Sequence, residues 1–224
     1  RESGFLRRVQ HPHLVRLLDT GTDPEGRPFL VQELVEGPDL ARRLDGGSLP
    51  PREAALVTAQ VAAALDALHA AGIAHRDVTP ANVILGPQGA VLADLGLSHG
   101  LEAEEDLTAP GHLPGTVAYL PPEALDGRAR PGPAGDVYML GVLLWHMLAG
   151  RLPWLGATPA ATLLRLLLAP PVELVARAGG LPEACRPVLA RALAVEPEAR
   201  PASAGALAAE AGAALGLLSP PSPR

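Results

Sequence analysis

The run VYMLGVLLWHML, Val137 to Leu148, restricts this chain more than any other stretch. As a helix its twelve residues rise roughly 18 Å, well short of the roughly 30 Å of a bilayer core, and His146 lies inside it. It cannot cross a membrane. A helix this apolar must instead be enclosed by protein, so the chain needs a body of further elements wrapped around residues 134–149. With 224 residues, 48% of them apolar, it has the material for that core.

Periodicity and punctuation supply the rest. Residues 14–19 (LVRLLD) and 27–34 (RPFLVQEL) read as two strands reversed by the turn DPEG. From Pro51 to Gly72, apolar residues at Val57, Val61, Ala64, Leu65 and Leu68 keep a helical period, with proline at the start and glycine at the stop. The segments VIL (83–85) and AVLAD (90–94) flank GPQG as short strands. Helices are expected at 159–169, 182–194 and 202–215, and the Pro- and Ser-rich tail LSPPSPR has nothing to bury. No repeat of fixed period is present.

Charge and cysteine count exclude several functions. A net charge of −6 without a basic block argues against nucleic-acid partners, which require clustered cations. The single cysteine, Cys185, permits no internal disulfide and reads as a small buried hydrophobe in a reducing, cytoplasmic setting. His11 and His13 flank a proline, but no further ligands follow at metal-site spacing. No segment is long and apolar enough to span a membrane.

The stretch AHRDVTPANVIL, residues 74–85, carries the chemistry. Asp77 and Asn82 lie five positions apart on a loop between a helix and a strand, and ADLG follows at 93–96. Further on come GTVAYLPPE (115–123), Asp136 at the head of the apolar helix, and EPEARP (196–201). In this order and spacing the set resembles the eukaryotic-type protein kinase domain, a family also found in bacteria. The resemblance implies an α+β, protein-kinase-like fold. Residues 1–35 would be the remainder of a small lobe (one helix plus a hairpin), 36–215 a complete, mainly helical large lobe, and 216–224 a tail or linker.

The resemblance also implies roles. Asp77 would orient or accept the proton of a substrate hydroxyl, and Asn82 and Asp94 would hold Mg²⁺. Thr79 stands where most Ser/Thr kinases carry lysine, offering a hydroxyl without a charge. Gln32 would be the gatekeeper, the backbone of Glu33 and Val35 would face the adenine edge, and Ile84 would belong to the same nucleotide site. Asp39 would reach the ribose or, equally well, cap the helix DLARRL. Glu2 matches the glutamate that pairs with a strand lysine. His75 would bridge backbone groups, and Arg76 would meet a phosphate on the activation loop, with Thr108 as the phosphosite unless the acidic run 102–106 pairs with Arg76 instead. Thr116 would hydrogen-bond Asp77. Glu123 and Arg200, 77 residues apart, would form an ion pair, and Asp136 would hold the catalytic loop from below.

ATP, Mg²⁺ and a protein substrate with Ser or Thr hydroxyls are thus the expected partners, and a dimer is compatible with them. The glycine-rich loop and strand lysine of the family are not among these residues, whose 18 basic side chains are all arginine. The expectation is therefore a fragment of a longer kinase, cytoplasmic or the cytoplasmic part of a membrane-anchored one. A pseudokinase acting as a binding or regulatory module is the alternative. A small-molecule phosphotransferase of related fold is a third class; HRD rather than HGD, together with GTVAYLPPE, speaks against it.

Overall fold

The computed structural model describes residues 9–94, 117–125, 131–152, 154–168, 174–175 and 179–217. Glu2, Thr108, Thr116 and the acidic run 102–106 lie outside them. At the centre is α4, Pro133–Ala149. It starts on a proline, whose missing N–H would be unbonded in a first turn anyway, and ends at Gly150. Gly150 adopts φ 72° and donates its N–H to the His146 carbonyl, a left-handed cap that a side chain would disfavour. Between Gly135 and Leu148 every residue except His146 is buried. Three helices enclose it. These are α2 (Pro51–Ala70), α6 (Arg186–Ala192) and α7 (Ala204–Ala214), the last two packing on each other as well. Trp145 and Trp154 meet edge to face at 5.3 Å in this core, and fully burying each large apolar side chain contributes about 1.5–3 kcal/mol.

Two small antiparallel sheets sit at one end. β1 (Leu17–Thr22) pairs with β2 (Pro28–Gln32), and β3 (Val83–Gly86) pairs with β4 (Gly89–Leu92). The first strand begins three residues later than its apolar pattern predicts, because Leu14 and Val15 are used elsewhere. Leu14 forms a parallel bridge to Leu92, and the Val15 N–H donates to the Leu92 carbonyl at 2.9 Å. His13 extends this seam by donating from Nδ1 to the Ala90 carbonyl at 2.9 Å, a structural use of that histidine. Residues 11–15 thus tie the hairpin to β4 and so to the loop that β3 and β4 support.

Short helices complete the body: α1 (Leu40–Leu44), α3 (Pro122–Leu125) and α5 (Pro159–Leu168). The helix expected at 182–194 is divided into a 3-10 turn, Glu183–Cys185, followed by α6. Pro187 is the reason: its ring conflicts with a carbonyl four residues back, so it is accepted only in a first turn. Cys185 is fully buried and burial pushes its thiol pKa up, the inert state expected of it. Among the described residues, no helix is long and apolar enough to cross a membrane.

Candidate active site

Helix α2 delivers the loop 73–82. The helix ends at Ala70, Gly72 turns the chain with φ 76°, and the Ile73 N–H returns to the Leu68 carbonyl at 3.0 Å. Below the loop lies Asp136, in the first turn of α4 and fully buried. Its carboxylate accepts from the His75 N–H at 2.8 Å, the Arg76 N–H at 2.7 Å and His69 Nε2 at 2.7 Å. One buried anion therefore holds two consecutive backbone amides. Arg76 can present its amide there because it adopts φ 68°, a left-handed conformation that non-glycine residues seldom take unless their surroundings fix it. The Arg76 guanidinium donates from Nε to the Pro131 carbonyl at 3.1 Å.

His75 is buried beneath the loop. Its Nε2 faces the Ala93 carbonyl at 3.0 Å, which can only accept, so the ring proton is on Nε2. Nδ1 then accepts from the Asp77 N–H at 3.3 Å. The imidazole thus joins the two segments that carry Asp77 and Asp94. Desolvation lowers its pKa, opposed by the nearby charges of Asp136, Asp77 and Asp94, and the neutral ring suits both bonds.

Asp77 and Asn82 form one unit. The Asn82 side-chain amide donates to the Asp77 carbonyl at 2.9 Å and to its carboxylate Oδ2 at 2.7 Å. Both amide hydrogens are then committed to Asp77, and Asn82 Oδ1 is left as an oxygen donor. Thr79 is nearly buried between them, its N–H on the Asp77 carbonyl at 3.1 Å and its own carbonyl accepting from the Asn82 N–H at 3.1 Å. Asp94 is exposed and adopts φ 51°, while the preceding Ala93 N–H donates to the Asn82 carbonyl at 2.8 Å. Together Asp94 and Asn82 offer a carboxylate and an amide carbonyl. That hard donor set fits a magnesium ion, which keeps waters and takes the rest of its ligands from substrate phosphates. Among the described residues, no group of three or more His, Cys, Asp or Glu is placed to hold a metal.

Beside β3, the chain passes from β2 through residues 33–38 to α1. The Glu33 N–H donates to the Arg16 carbonyl at 3.0 Å and its carboxylate accepts from the Arg16 N–H at 2.9 Å. Its amide and its side chain are thus both engaged by the Arg16 backbone. Gly37 adopts φ 151°, and a Cβ there would stand 2.2 Å from the Leu85 carbonyl oxygen, so this backbone lies directly against β3. Asp39 caps α1: Oδ1 accepts from the Arg42 N–H at 2.8 Å and Oδ2 lies 3.4 Å from Arg42 Nε. Its carboxylate is engaged by its own helix, the second of the two uses its sequence position suggests. An antiparallel bridge joins Asp39 to Ile84 and so fixes these residues relative to each other.

Beyond the loop, Glu123 and Arg200 form a bidentate pair at 2.8 and 2.7 Å. Arg200 also donates to the carbonyls of Ala194, Ala134 and Val195 and lies 5.0 Å from the centre of the Tyr138 ring. Burial raises the Tyr138 pKa. Three further residues of this neighbourhood went unread in the sequence. His69 escaped because a histidine in the last turn of a helix usually serves that helix. His146 and Trp154, which contact residues 118–119, gave no local signal because their partners are 27 and 36 residues away.

The comparisons with known proteins agree with this geometry. The family described as the protein kinase domain matches residues 1–210. The serine/threonine-protein kinase PkaA of Streptomyces coelicolor is 39% identical over 203 residues, covering 88% of this chain and 36% of the relative. The serine/threonine-protein kinase PknL of Mycobacterium tuberculosis is 42% identical over 159 residues, covering 69% of this chain and 39% of the relative. The chain thus spans under two fifths of the length of either relative. Among solved structures, the Mycobacterium tuberculosis PknI kinase domain superposes with a TM-score of 0.69 at 28% identity, covering 96% of this chain and 76% of that one. A loop with paired Asp77 and Asn82, held from below by Asp136 and by a Glu123–Arg200 clamp, within a match that runs over 210 residues, places this chain in the protein kinase domain family.

Proposed function

We propose that the protein containing this chain transfers the γ-phosphoryl group of ATP to Ser or Thr hydroxyls of protein substrates. The observation that carries the proposal is the Asp77–Asn82 unit. Asn82 holds Asp77 Oδ2, which fixes the carboxylate plane and leaves Oδ1 to accept the hydrogen of an incoming hydroxyl. As the hydroxyl oxygen bonds to the γ-phosphorus, the bond from phosphorus to the bridging oxygen breaks. ADP departs with that electron pair and the hydroxyl proton passes to Asp77. Little covalent work falls to the protein, so its contribution is alignment. Asp94 and Asn82 would hold Mg²⁺, which when bound neutralises phosphate charge. The Glu33 carbonyl and Val35 amide would face the adenine edge and Ile84 the base itself.

The Ser/Thr kinase names of PkaA and PknL support the acceptor class. Asp77→Asn keeps the shape and a bond with Asn82 but cannot take a proton, so kcat should fall about 10²- to 10⁴-fold with folding unchanged. Activity within a few-fold of wild type in the purified variant would overturn the assignment.

Thr79 favours a second reading, a module that binds nucleotide without transfer. It supplies a neutral hydroxyl where a cation would stabilise the transferring phosphate. The two readings part in one measurement: ADP formation coupled to phosphoprotein, against a Mg²⁺-ATP thermal shift without turnover.

A further inference from the structure

The segment 10–16, Glu33 just after β2 and Gln88 in the β3–β4 turn bound a cleft of about 400 Å³, within the size range of small-molecule sites. Its walls are preformed. The turn at 11–14 is closed by the Leu14 N–H on the His11 carbonyl at 3.0 Å, and the backbone of His13 and Val15 is bonded to Leu92 of β4. The Glu33 carboxylate is held by the Arg16 N–H at 2.9 Å. None of the lining residues belongs to the Asp77–Asn82–Asp94 unit, and Glu33 enters the nucleotide assignment only through its backbone.

The chemistry of the lining selects its occupant. Arg16 is exposed, and among the described residues its guanidinium has Glu33 as carboxylate neighbour, with Oε2 3.9 Å from Nε and so beyond hydrogen-bond reach. Its fork of donors is open to another carboxylate, whose planar geometry it matches. His11 adds a donor. Its Nδ1 accepts from the His13 N–H at 3.2 Å, which puts the proton of the neutral ring on Nε2. Burial and the neighbouring His13 lower the His11 pKa and favour that neutral form. Exposed Gln10 and Gln88 contribute amides, and Pro12 and Leu14 form an apolar wall. Glu33 limits the charge of a ligand: a dianionic phosphate would be repelled by its carboxylate, whereas a single negative charge is balanced by Arg16.

We propose that this cleft binds a small monocarboxylate with a flat apolar body, its carboxylate on Arg16 and His11 and its body against Pro12 and Leu14. The site lies outside the phosphoryl-transfer unit, and the proposal stands independently of the kinase reading.

The probe is 3-phenylpropionate, titrated into the isotope-labelled protein containing this chain and followed by the shifts of its amide signals. The comparators are 3-phenylpropanamide, which keeps the shape without the charge, and phenyl phosphate. Amides in 10–16 and 86–90 should shift with a Kd in the millimolar range or below. The amide analogue should bind at least about tenfold more weakly, as the loss of a charge-assisted hydrogen bond implies, and phenyl phosphate should also bind more weakly. Arg16→Gln should weaken binding of 3-phenylpropionate by at least about tenfold, and Gln88→Trp, which fills the cleft from an exposed turn, should abolish it. The absence of saturable shifts at about 10 mM probe, shifts centred elsewhere, equal binding by the amide analogue, tighter binding by phenyl phosphate, or binding that survives Arg16→Gln would overturn the proposal. Gln88→Trp keeps the test decisive if Arg16→Gln does not fold, since unchanged binding in it would overturn the proposal equally.

Discussion

Replacing Glu123 by glutamine preserves the outline of the Glu123–Arg200 clamp and removes its charge. The Arg200 side chain is 0% exposed and that of Glu123 14%, so water cannot take over as counter-charge. All the guanidinium N–H groups are in use: Nε on Ala194 O, one terminal nitrogen on Glu123 and Ala134 O, the other on Glu123 and Val195 O. Glutamine can accept one of the two Glu123 bonds but turns an N–H toward the other donor. The buried cation is then left uncompensated, a situation that costs about 3–5 kcal/mol. At about 2–4 °C per kcal/mol for a chain of this size, the melting temperature should drop by roughly 6–20 °C. Arg200→Met should cost at least as much, since it also strands three carbonyls. Glu123→Gln combined with Arg200→Met should cost clearly less than the two single changes added together. Urea unfolding followed by circular dichroism measures each value. A loss below about 1 kcal/mol for Glu123→Gln, or additivity within about 0.5 kcal/mol, would refute the reasoning.

The remaining predictions concern pH and close packing. Burial holds the His75 pKa below its ordinary 6.5, so the unfolded chain binds the proton more readily; the stabilisation is complete above pH 6.5 and declines as pH falls from there toward the folded pKa, by at most about 1.4 kcal/mol per pH unit for this group. Urea midpoints taken from pH 7.5 to 5 should show that slope, and His75→Gln should flatten it; an unchanged slope in the variant would assign it to other groups. Gly37→Ala places a Cβ against the Leu85 carbonyl in a backbone region that disfavours side chains, so the strand connection must shift, at about 1–3 kcal/mol, with ATP affinity falling in a binding assay. Gly141→Ala sets a methyl 2.7 Å from the Ala192 Cβ where α4 meets α6 and should cost about 1–3 kcal/mol in denaturant unfolding without altering ATP binding.

What could be read from the sequence was what depends on neighbours along the chain or on ordered motifs. Helix α2, the turn at 23–26 and the β3–β4 pair follow from apolar period and turn residues, and Asp77 and Asn82 share one loop. Glu123 and Arg200 could be matched across 77 residues only because each belongs to its own motif. The remainder was set by tertiary partners. Leu14 and Val15 have ordinary strand character, and nothing local shows that they pair with β4 rather than β2. The left-handed backbones of Arg76 and Asp94 carry no glycine to announce them, since the surrounding hydrogen bonds hold them there. Asp39 could not be divided between ribose and cap until the Arg42 amide was seen on its carboxylate.

The central claim is that the Asp77–Asn82–Asp94 arrangement performs phosphoryl transfer. Its most direct test is transfer of labelled γ-phosphate from Mg²⁺-ATP by the protein containing this chain, with phosphoamino-acid analysis of the product, in wild type and in Asp94→Asn. The account predicts phosphoserine or phosphothreonine from the wild type and a loss of at least about 10²-fold in the variant, whose fold is intact. ATP binding with no phosphoprotein, or transfer that survives Asp94→Asn, would contradict it.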